Sequence, residues 1–310
     1  MEALAHLIKS VSTVHRPGDK KDILLLATPR GGSTWFMEMI WTQPSMRQCS
    51  EPFNIRQPRI AKNLGISHFS MLYGQDSEAK VADYLRKLID NRLKFLNSNP
   101  FRRNHHFFTN RTVFKCIHYG THNTRWLEET FDFQVLLILR HPIPVSLSRK
   151  VFPLLEEFGN CALREKFNQD ELSVLDRARE HGSHLEKGIA AWCLHNALAL
   201  REMRTSWLLA TYEQAVIEPE KVINAMATHI GLHEKKRIEE QMQKASAVIG
   251  KSSAEQQAIL RNADRRQELI SSWRKKVSPQ QEADLMGVLE AFHLDHYQTG
   301  VDLPSSKYLL

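Results

Sequence analysis

One short stretch, residues 22–35 with the sequence DILLLATPRGGSTW, most constrains how this chain can fold. Its first part, Ile23–Ala27, is an apolar run of the length that a strand buried on both faces needs, and it is too short to span a membrane. Thr28-Pro29 ends the run, and Trp35–Trp41 then has the apolar spacing of a helix. The stretch therefore predicts a strand, a glycine loop and a helix in direct succession.

The loop between this strand and helix combines a cation, two glycines and two hydroxyls, in the order Arg30, Gly31, Gly32, Ser33 and Thr34. The glycines allow the backbone to bend tightly and to approach a ligand. Free N–H groups and the positive end of the helix dipole then point at one spot, where a phosphate or sulfate can bind. The loop therefore predicts an anion site, although an ordinary turn between a strand and a helix has the same outline.

The charge of the chain also favours anionic ligands. The formal net charge is +7 over 310 residues, with a pI near 9.2. The basic residues are spread along the sequence instead of forming an arm, which makes nucleic acid the weaker interpretation and leaves no nucleic-acid partner in our prediction.

Compartment signals are consistent with a cytoplasmic protein. The four cysteines have no CxxC pattern and no regular spacing, which favours reduced thiols over a disulfide framework. The N-terminus lacks the pattern of a secretory signal, and no segment approaches 18 apolar residues, so we expect no membrane span.

Further along the chain, strand and helix patterns alternate without a linker, which predicts one domain over residues 1–310. The fold class is α/β, with a mainly parallel central sheet flanked by helices in three layers. Strands are predicted at 23–27, 46–49, 112–117, 134–139 and 207–210. Helices are predicted at 77–96, 123–131, 183–203, 219–230, 234–249 and 279–292, with a helix starting near Pro142 and irregular structure over 55–75.

Two motifs in this order resemble the sulfotransferase superfamily, whose members use 3′-phosphoadenosine 5′-phosphosulfate (PAPS). TPRGGSTW resembles the family's 5′-phosphosulfate loop, and LRHPIPVSLSR resembles its 3′-phosphate signature, an arginine followed eight residues later by a serine. The resemblance implies a P-loop-like sandwich that binds PAPS as donor and releases PAP, with no metal. It implies cofactor contacts from Arg30, Gly31, Gly32, Ser33, Thr34, Trp35, Arg140 and Ser148.

Two later stretches extend the resemblance to about residue 297. LLATYEQAVIEPEKVINAMATHIGL is similar to a family segment that places a tyrosine, here Tyr212, near the nucleotide. RRQELISSW resembles the basic loop before a tryptophan, so Arg265 or Arg266 is expected at the 3′-phosphate. The family's usual Arg-Lys-Gly is not present there.

Two residues are candidates for the general base that the reaction needs. Glu51, in CSEPF, matches the position of a catalytic glutamate in carbohydrate-type and some bacterial sulfotransferases. His118 lies near a lysine and histidine pair of the cytosolic branch, but two residues separate it from Lys115 instead of one. We favour Glu51, with a partly raised pKa, and expect Lys115 and Arg30 to assist catalysis.

Several acceptors, and two functions other than sulfuryl transfer, also fit the sequence. The Glu51 match favours a carbohydrate hydroxyl, while an amine, a small alcohol or a phenol also fits. A protein that only binds PAP or a sulfated glycan is the main alternative. A small-molecule kinase is a weaker one, because the G-x-x-x-x-G-K-[ST] pattern is missing. The oligomeric state has no sequence signal, and the Cys116, His118 and His122 spacing lacks a fourth metal ligand.

Overall fold

The computed structural model describes residues 9, 11–74, 76–245 and 253–310. Its described strands are β1 (Val14–His15), β2 (Ile23–Ala27), β3 (Met46–Ser50), β4 (Phe108–Thr109), β5 (Arg111–Cys116), β6 (Gln134–Leu139) and β7 (Trp207–Thr211). Five of them form a parallel sheet in the order β3-β5-β2-β6-β7, and β1 pairs with β4 separately.

Helices connect these strands and extend through the last third of the described chain. They are α1 (Ser33–Ile40), α2 (Pro58–Leu64), α3 (Ser77–Ile89), α4 (Thr124–Phe131), α5 (Pro142–Ser148), α6 (Pro153–Glu157), α7 (Gln169–His181), α8 (His184–Arg201), α9 (Tyr212–Ile217), α10 (Pro219–Ile230), α11 (Lys235–Met242), α12 (Ser253–Arg261), α13 (Arg266–Ser271), α14 (Pro279–Met286) and α15 (Val288–Ala291).

Side-chain alternation along β2 produces the three layers. Leu24 and Leu26 face a core that includes Trp192 of α8, whereas Ile23 and Leu25 face a second core that includes Phe36 of α1. All of these side chains are buried, as the continuous apolar run predicts for a strand covered on both faces. The predicted fold class, a mainly parallel sheet flanked by helices, is confirmed.

The order of the strands places a ligand-binding edge. The chain leaves β2 toward β3 on one side of the sheet and leaves β6 toward β7 on the other. The carboxyl ends of β2 and β6 therefore lie at a topological switch point, where open α/β sheets bind ligands. The glycine loop follows β2, and Arg140 follows β6.

Residues 55–75 differ from the prediction of irregular structure. Helix α2 begins at Pro58, because proline lacks only an N–H that the first turn leaves unused, and it ends on Gly65 with φ 66°. A 3₁₀ helix, Phe69–Tyr73, follows.

Several predicted helices are shorter in the structure. Helix α3 ends at Ile89. There Arg47 Nη2 donates to the carbonyl of Leu88 at 2.8 Å, and Nη1 donates to Asn91 Oδ1 at 2.9 Å. The helix predicted at 279–292 is divided at Gly287. Helix α11 ends at Met242, and residues 246–249 of that prediction lie outside the described residues.

Two further features concern thiols and membranes. Cys49, Cys116, Cys161 and Cys193 are free thiols, and all four are buried. Within the described ranges, no helix has the length and apolar character needed to cross a bilayer.

Candidate active site

A cavity of about 350 Å³ opens at the carboxyl edge of the sheet. The glycine loop, the end of β3, the end of β6 and the start of α9 all reach it. Predicted residues that line it are Arg30, Gly32, Ser33, Thr34, Trp35, Glu51, Arg140, Ser148 and Tyr212. The two motifs that are about a hundred residues apart in sequence therefore face one space, of a size typical for small-molecule sites.

The glycine loop has the backbone shape that the sequence predicts. Gly31 N–H donates to the carbonyl of Thr28 at 2.9 Å, and Gly32 has φ 91° at the N-terminus of α1. A Cβ at Gly32 would lie 2.8 Å from the Tyr212 ring, so no other residue fits without displacement. Since no side chain caps α1 at Gly32, the N–H groups of its first turn remain available to a ligand.

A buried side-chain amide holds the start of the glycine loop in place. Asn196 of α8 donates from Nδ2 to Thr28 Oγ1 at 2.8 Å and also to the carbonyl of Trp192 at 2.8 Å. Arg30, by contrast, is exposed and has a backbone φ of 72°, in a region that residues other than glycine rarely adopt. Such strain is typical of residues held in place for function.

Arg140 connects the second motif to the first. Its Nη1 donates to the carbonyl of Arg30 at 3.1 Å, and its guanidinium lies 4.0 Å from the centre of the Tyr212 ring. Its Nε is buried and has no hydrogen-bond partner among the described residues. Ser148 is exposed at the end of α5, with Oγ donating to the carbonyl of Val145 at 2.9 Å. Arg140 therefore keeps donor capacity that described protein groups leave unused, and Ser148 adds an exposed hydroxyl to the same lining.

Two aromatic residues form the apolar side of the cavity. The rings of Trp35 and Tyr212 lie 5.6 Å apart, and both residues are buried. Trp35 Nε1 donates to the carbonyl of Lys244 at 3.1 Å, which fixes the indole against the segment after α11. The two rings are inclined to each other by 59°, so together they form an apolar corner of the cavity.

A partly buried ion pair lies at the ends of the adjacent strands β3 and β5. Lys115 Nζ is 2.8 Å from Glu51 Oε1 and donates to Thr34 Oγ1 at 3.0 Å. Burial alone would raise the pKa of the Glu51 carboxyl. The charge and hydrogen bond of Lys115, with smaller contributions from His118 and Asn54, outweigh burial and lower that pKa instead. The expectation of a raised pKa at Glu51 is therefore wrong in this structure.

His118 lies beside the same carboxylate. Its Nε2 is 4.0 Å from Glu51 Oε2. Burial lowers the pKa of His118 to about 4, although the Glu51 charge acts in the opposite direction. At neutral pH the imidazole is therefore uncharged and can accept a proton, and Glu51 is ionised. Both candidate bases have the protonation state that the role needs.

Neither of the two late arginines is among the described residues that line the cavity. Arg265, with 42% of its side chain exposed, forms two hydrogen bonds with Glu268, at 2.8 and 2.9 Å. Arg266 Nε donates to the carbonyl of Leu260, which itself lines the cavity. Arg266 is therefore the closer of the two to the candidate site.

Sequence reasoning missed several residues that line the cavity. Pro29, Ile117, Ala245, Gln256 and Leu260 also line the cavity. Gln256 and Leu260 belong to α12, which no motif connects to the site.

Glu213 accepts from the His141 N–H at 2.9 Å and from Tyr297 at 2.7 Å, so it anchors the end of β7. Among the described residues, no group of His, Cys, Asp or Glu is arranged to hold a metal ion.

Among the comparisons with known proteins, the search of solved structures gave matches. No protein-family model matches the chain, and no curated protein sequence does. The sulfotransferase domain from the curacin biosynthetic pathway covers 94% of this chain and 100% of its own, with a TM-score of 0.47 and 15% identity. The sulfotransferase domain of the Synechococcus PCC 7002 olefin synthase covers 91% of this chain and 99% of its own, with a TM-score of 0.44 and 18% identity.

A third solved structure is the mouse sulfotransferase SULT7A1 complexed with PAP. It covers 93% of this chain and 89% of its own, with a TM-score of 0.45 and 15% identity. Over nearly its whole length, the chain is similar in fold to these solved structures of sulfotransferases.

Proposed function

We propose that this protein is a sulfotransferase that moves a sulfuryl group from PAPS to a hydroxyl, or an amine, of an acceptor such as a carbohydrate. The observation that supports this proposal most directly is the shared cavity. The glycine loop and the Arg140–Ser148 motif line it from two sides, and Glu51 lines it as well. An adenosine 3′,5′-bisphosphate needs such an arrangement, since its two phosphates must be held at once.

The residues present fit that nucleotide. Gly32 and the free N–H groups at the start of α1 suit the 5′-phosphate end. Arg140, with its unpartnered Nε, and Ser148 suit the 3′-phosphate. The Trp35 and Tyr212 rings suit the adenine.

The chemistry asks little of the protein beyond positioning and charge. PAPS supplies the sulfuryl group, whose bond to the 5′-phosphate oxygen breaks as a bond to the acceptor oxygen forms. By analogy with loose phosphoryl transfer, cations and N–H donors that stabilise the leaving phosphate are sufficient. Lys115, hydrogen-bonded to Thr34 of the loop, and Arg30 are the cations for that task.

The acceptor proton goes to Glu51 or to His118. Glu51 lines the cavity and is ionised, whereas His118 lies behind it at 4.0 Å and is neutral. The position of Glu51 favours it as the base. The lowered pKa makes it a weaker base than a free glutamate, and loss of the Lys115 contact on substrate binding would correct this.

The first test is ligand selectivity. We expect PAP to raise the melting temperature more than ATP, ADP or AMP at equal concentration, because only PAP carries both phosphates. Equal stabilisation by AMP would contradict the proposed cofactor.

Turnover separates an enzyme from a binding protein. PAP release is measured with a broad panel of acceptors for wild type, Glu51→Ala and His118→Ala. An enzyme releases PAP with at least one acceptor, and one of the two substitutions abolishes this. Tight PAP binding with no turnover of any acceptor would instead support a protein that only binds PAP or a sulfated glycan.

A further inference from the structure

A second cationic cluster lies near His118. It consists of Arg56, just before α2, and Arg149, just after α5. Ser148 is exposed at the nucleotide cavity, but the Arg149 residue that follows it is only 7% exposed. Ser148 is among the residues that line that cavity, and the two arginines are not.

A chain of ring contacts connects Arg56 to the candidate bases. Its guanidinium lies 5.9 Å from the centre of the Phe69 ring, and Phe69 lies 5.3 Å from the imidazole of His118. His118 in turn lies 4.0 Å from Glu51. Arg56 is thus placed about two side chains from the carboxylate that lines the cavity.

Arg149 also lies close enough to His118 for its charge to act on that imidazole. Its guanidinium lies 4.9 Å from the centre of the Phe152 ring, at the start of α6. Helix α6 packs against the 3₁₀ helix that carries Phe69, where the Ser70 N–H donates to Glu157 at 2.8 Å. The charges of Arg56 and Arg149 both lower the pKa of His118, after burial, which agrees with two cations facing one imidazole.

These cations lack the partners that a purely structural role would need. Arg149 Nη1 is buried without a hydrogen-bond partner in the described chain, and Nη2 has only a 3.5 Å contact to the carbonyl of Val151. Neither Arg56 nor Arg149 forms an ion pair with any described carboxylate. Glu156, whose charge acts on Arg149, accepts from the Phe152 N–H at 3.4 Å. A buried, unpaired guanidinium beside a second cation is costly and is relieved by an anion.

We propose that Arg149 and Arg56 bind an oxyanion of the acceptor, a carboxylate, phosphate or sulfate group, while the acceptor hydroxyl lies at Glu51 and His118. This inference rests on the proposed function and adds the substrate class: a hydroxyl compound with an anionic group. Arginine suits this role because its planar fork matches an oxyanion with two hydrogen bonds. The reacting hydroxyl and the bound anion would then lie on opposite sides of His118.

Equilibrium binding to protein saturated with PAP tests the proposal. The probes are 4-hydroxyphenylacetate and its neutral amide, 4-hydroxyphenylacetamide, compared by calorimetry at equal ionic strength. We expect wild type to bind the acid about tenfold or more tightly than the amide. The ratio should fall to near one in Arg149→Gln and in Arg56→Gln. Arg125→Gln, on the exposed surface of α4, is the matched control and should keep the wild-type ratio.

Three outcomes would overturn the proposal: no preference of wild type for the acid, no binding of either probe, or a ratio unchanged in both site variants. Because Arg56 is exposed, its variant folds even where Arg149→Gln does not. PAP binding is measured separately and first. If PAP does not bind, the proposed function fails, and the comparison of acid with amide in nucleotide-free protein still tests the arginine pair.

Discussion

The ammonium of Lys115 lies 2.8 Å from the carboxylate of Glu51, and the two residues stand at the ends of adjacent parallel strands. Lys115 is almost fully buried, with 3% of its side chain exposed, whereas 26% of the Glu51 side chain is exposed. The same ammonium donates to Thr34 of the glycine loop. The ion pair therefore connects the candidate base to the candidate phosphate site.

Removal of this ammonium should affect activity more than nucleotide binding. We expect Lys115→Met to lower kcat by about 10²- to 10³-fold, because a cation near the leaving group acts mainly in the transition state. Stability should fall by about 2–3 kcal/mol, less than for a fully buried pair because Glu51 is partly exposed.

Lys21→Met is the control for this variant, because Lys21 forms an exposed ion pair with Asp132. Loss of that pair should lower the free energy of unfolding by under about 1 kcal/mol. Urea unfolding and steady-state PAP release measure the two effects. A Lys115→Met protein with wild-type kcat would remove Lys115 from the catalytic set.

Substitution of the two candidate bases should distinguish them. We expect Glu51→Gln to lower kcat by about 10³-fold and His118→Asn by about 10-fold, since general bases contribute about 10²- to 10⁴-fold. PAP affinity, measured by calorimetry, should change little in either variant. The opposite order of the two effects would identify His118 as the base.

Gly32 should be intolerant of a side chain for two reasons that a control can separate. Gly32→Ala places a Cβ at a positive φ and 2.8 Å from Tyr212, whereas Gly65→Ala, at φ 66°, has no atom within 4 Å. We expect Gly65→Ala to cost about 1 kcal/mol and Gly32→Ala clearly more, with a loss of PAP affinity in Gly32→Ala alone. Thermal unfolding with and without PAP measures both. Equal costs would mean that Tyr212 moves away freely.

Arg140 should determine selectivity for the 3′-phosphate. We expect Arg140→Met to weaken PAP binding by about 10- to 100-fold, in line with loss of charged hydrogen bonds, while AMP binding changes little. Arg265→Met should leave PAP binding nearly unchanged, because Arg265 is exposed and paired with Glu268. Equal weakening of PAP and AMP by Arg140→Met would place the 3′-phosphate elsewhere.

Stability should fall as the pH is lowered from about 6.5 to about 4. Burial lowers the pKa of five histidines to about 3 or 4, namely His15, His118, His122, His141 and His296. In this range the unfolded chain binds protons that the folded chain does not, so each histidine destabilises by about 1.4 kcal/mol per pH unit. Asp22, whose pKa burial raises to about 6, opposes one of them below that pH.

Urea unfolding at pH 7 and pH 5 measures this dependence. His118→Asn should reduce the change in the free energy of unfolding with pH by about the contribution of one histidine. His68→Asn, at an exposed residue, is the control. Stability that does not change between these two pH values would contradict the buried, neutral state of the histidines.

The parts of the site that could be predicted from sequence are local. The glycine loop and the Arg140–Ser148 spacing each lie within one strand-to-helix connection, so the chain order alone places them at the end of a strand. The resemblance implied that both motifs contact one nucleotide, and the structure shows that they line one cavity at the ends of the paired strands β2 and β6.

The parts that could not be predicted depend on contacts across the fold. The lowered pKa of Glu51 comes from Lys115, which is 64 residues away and becomes its neighbour only through the pairing of β3 with β5. Gln256 and Leu260 reach the cavity because α12 packs there, and their sequence has no motif. The end of α3 depends on the buried side chain of Arg47, which an apolar pattern does not include.

The hydrogen bond from Trp35 to Lys244 has a consequence for how the protein acquires its ligand affinity. It spans 209 residues, so the aromatic wall is complete only after both ends of that span have folded together. Contacts so distant in sequence form late, because the loop that they close is costly in entropy. During refolding, recovery of PAP binding should therefore coincide with the slowest phase, and the nucleotide would report completion of the fold.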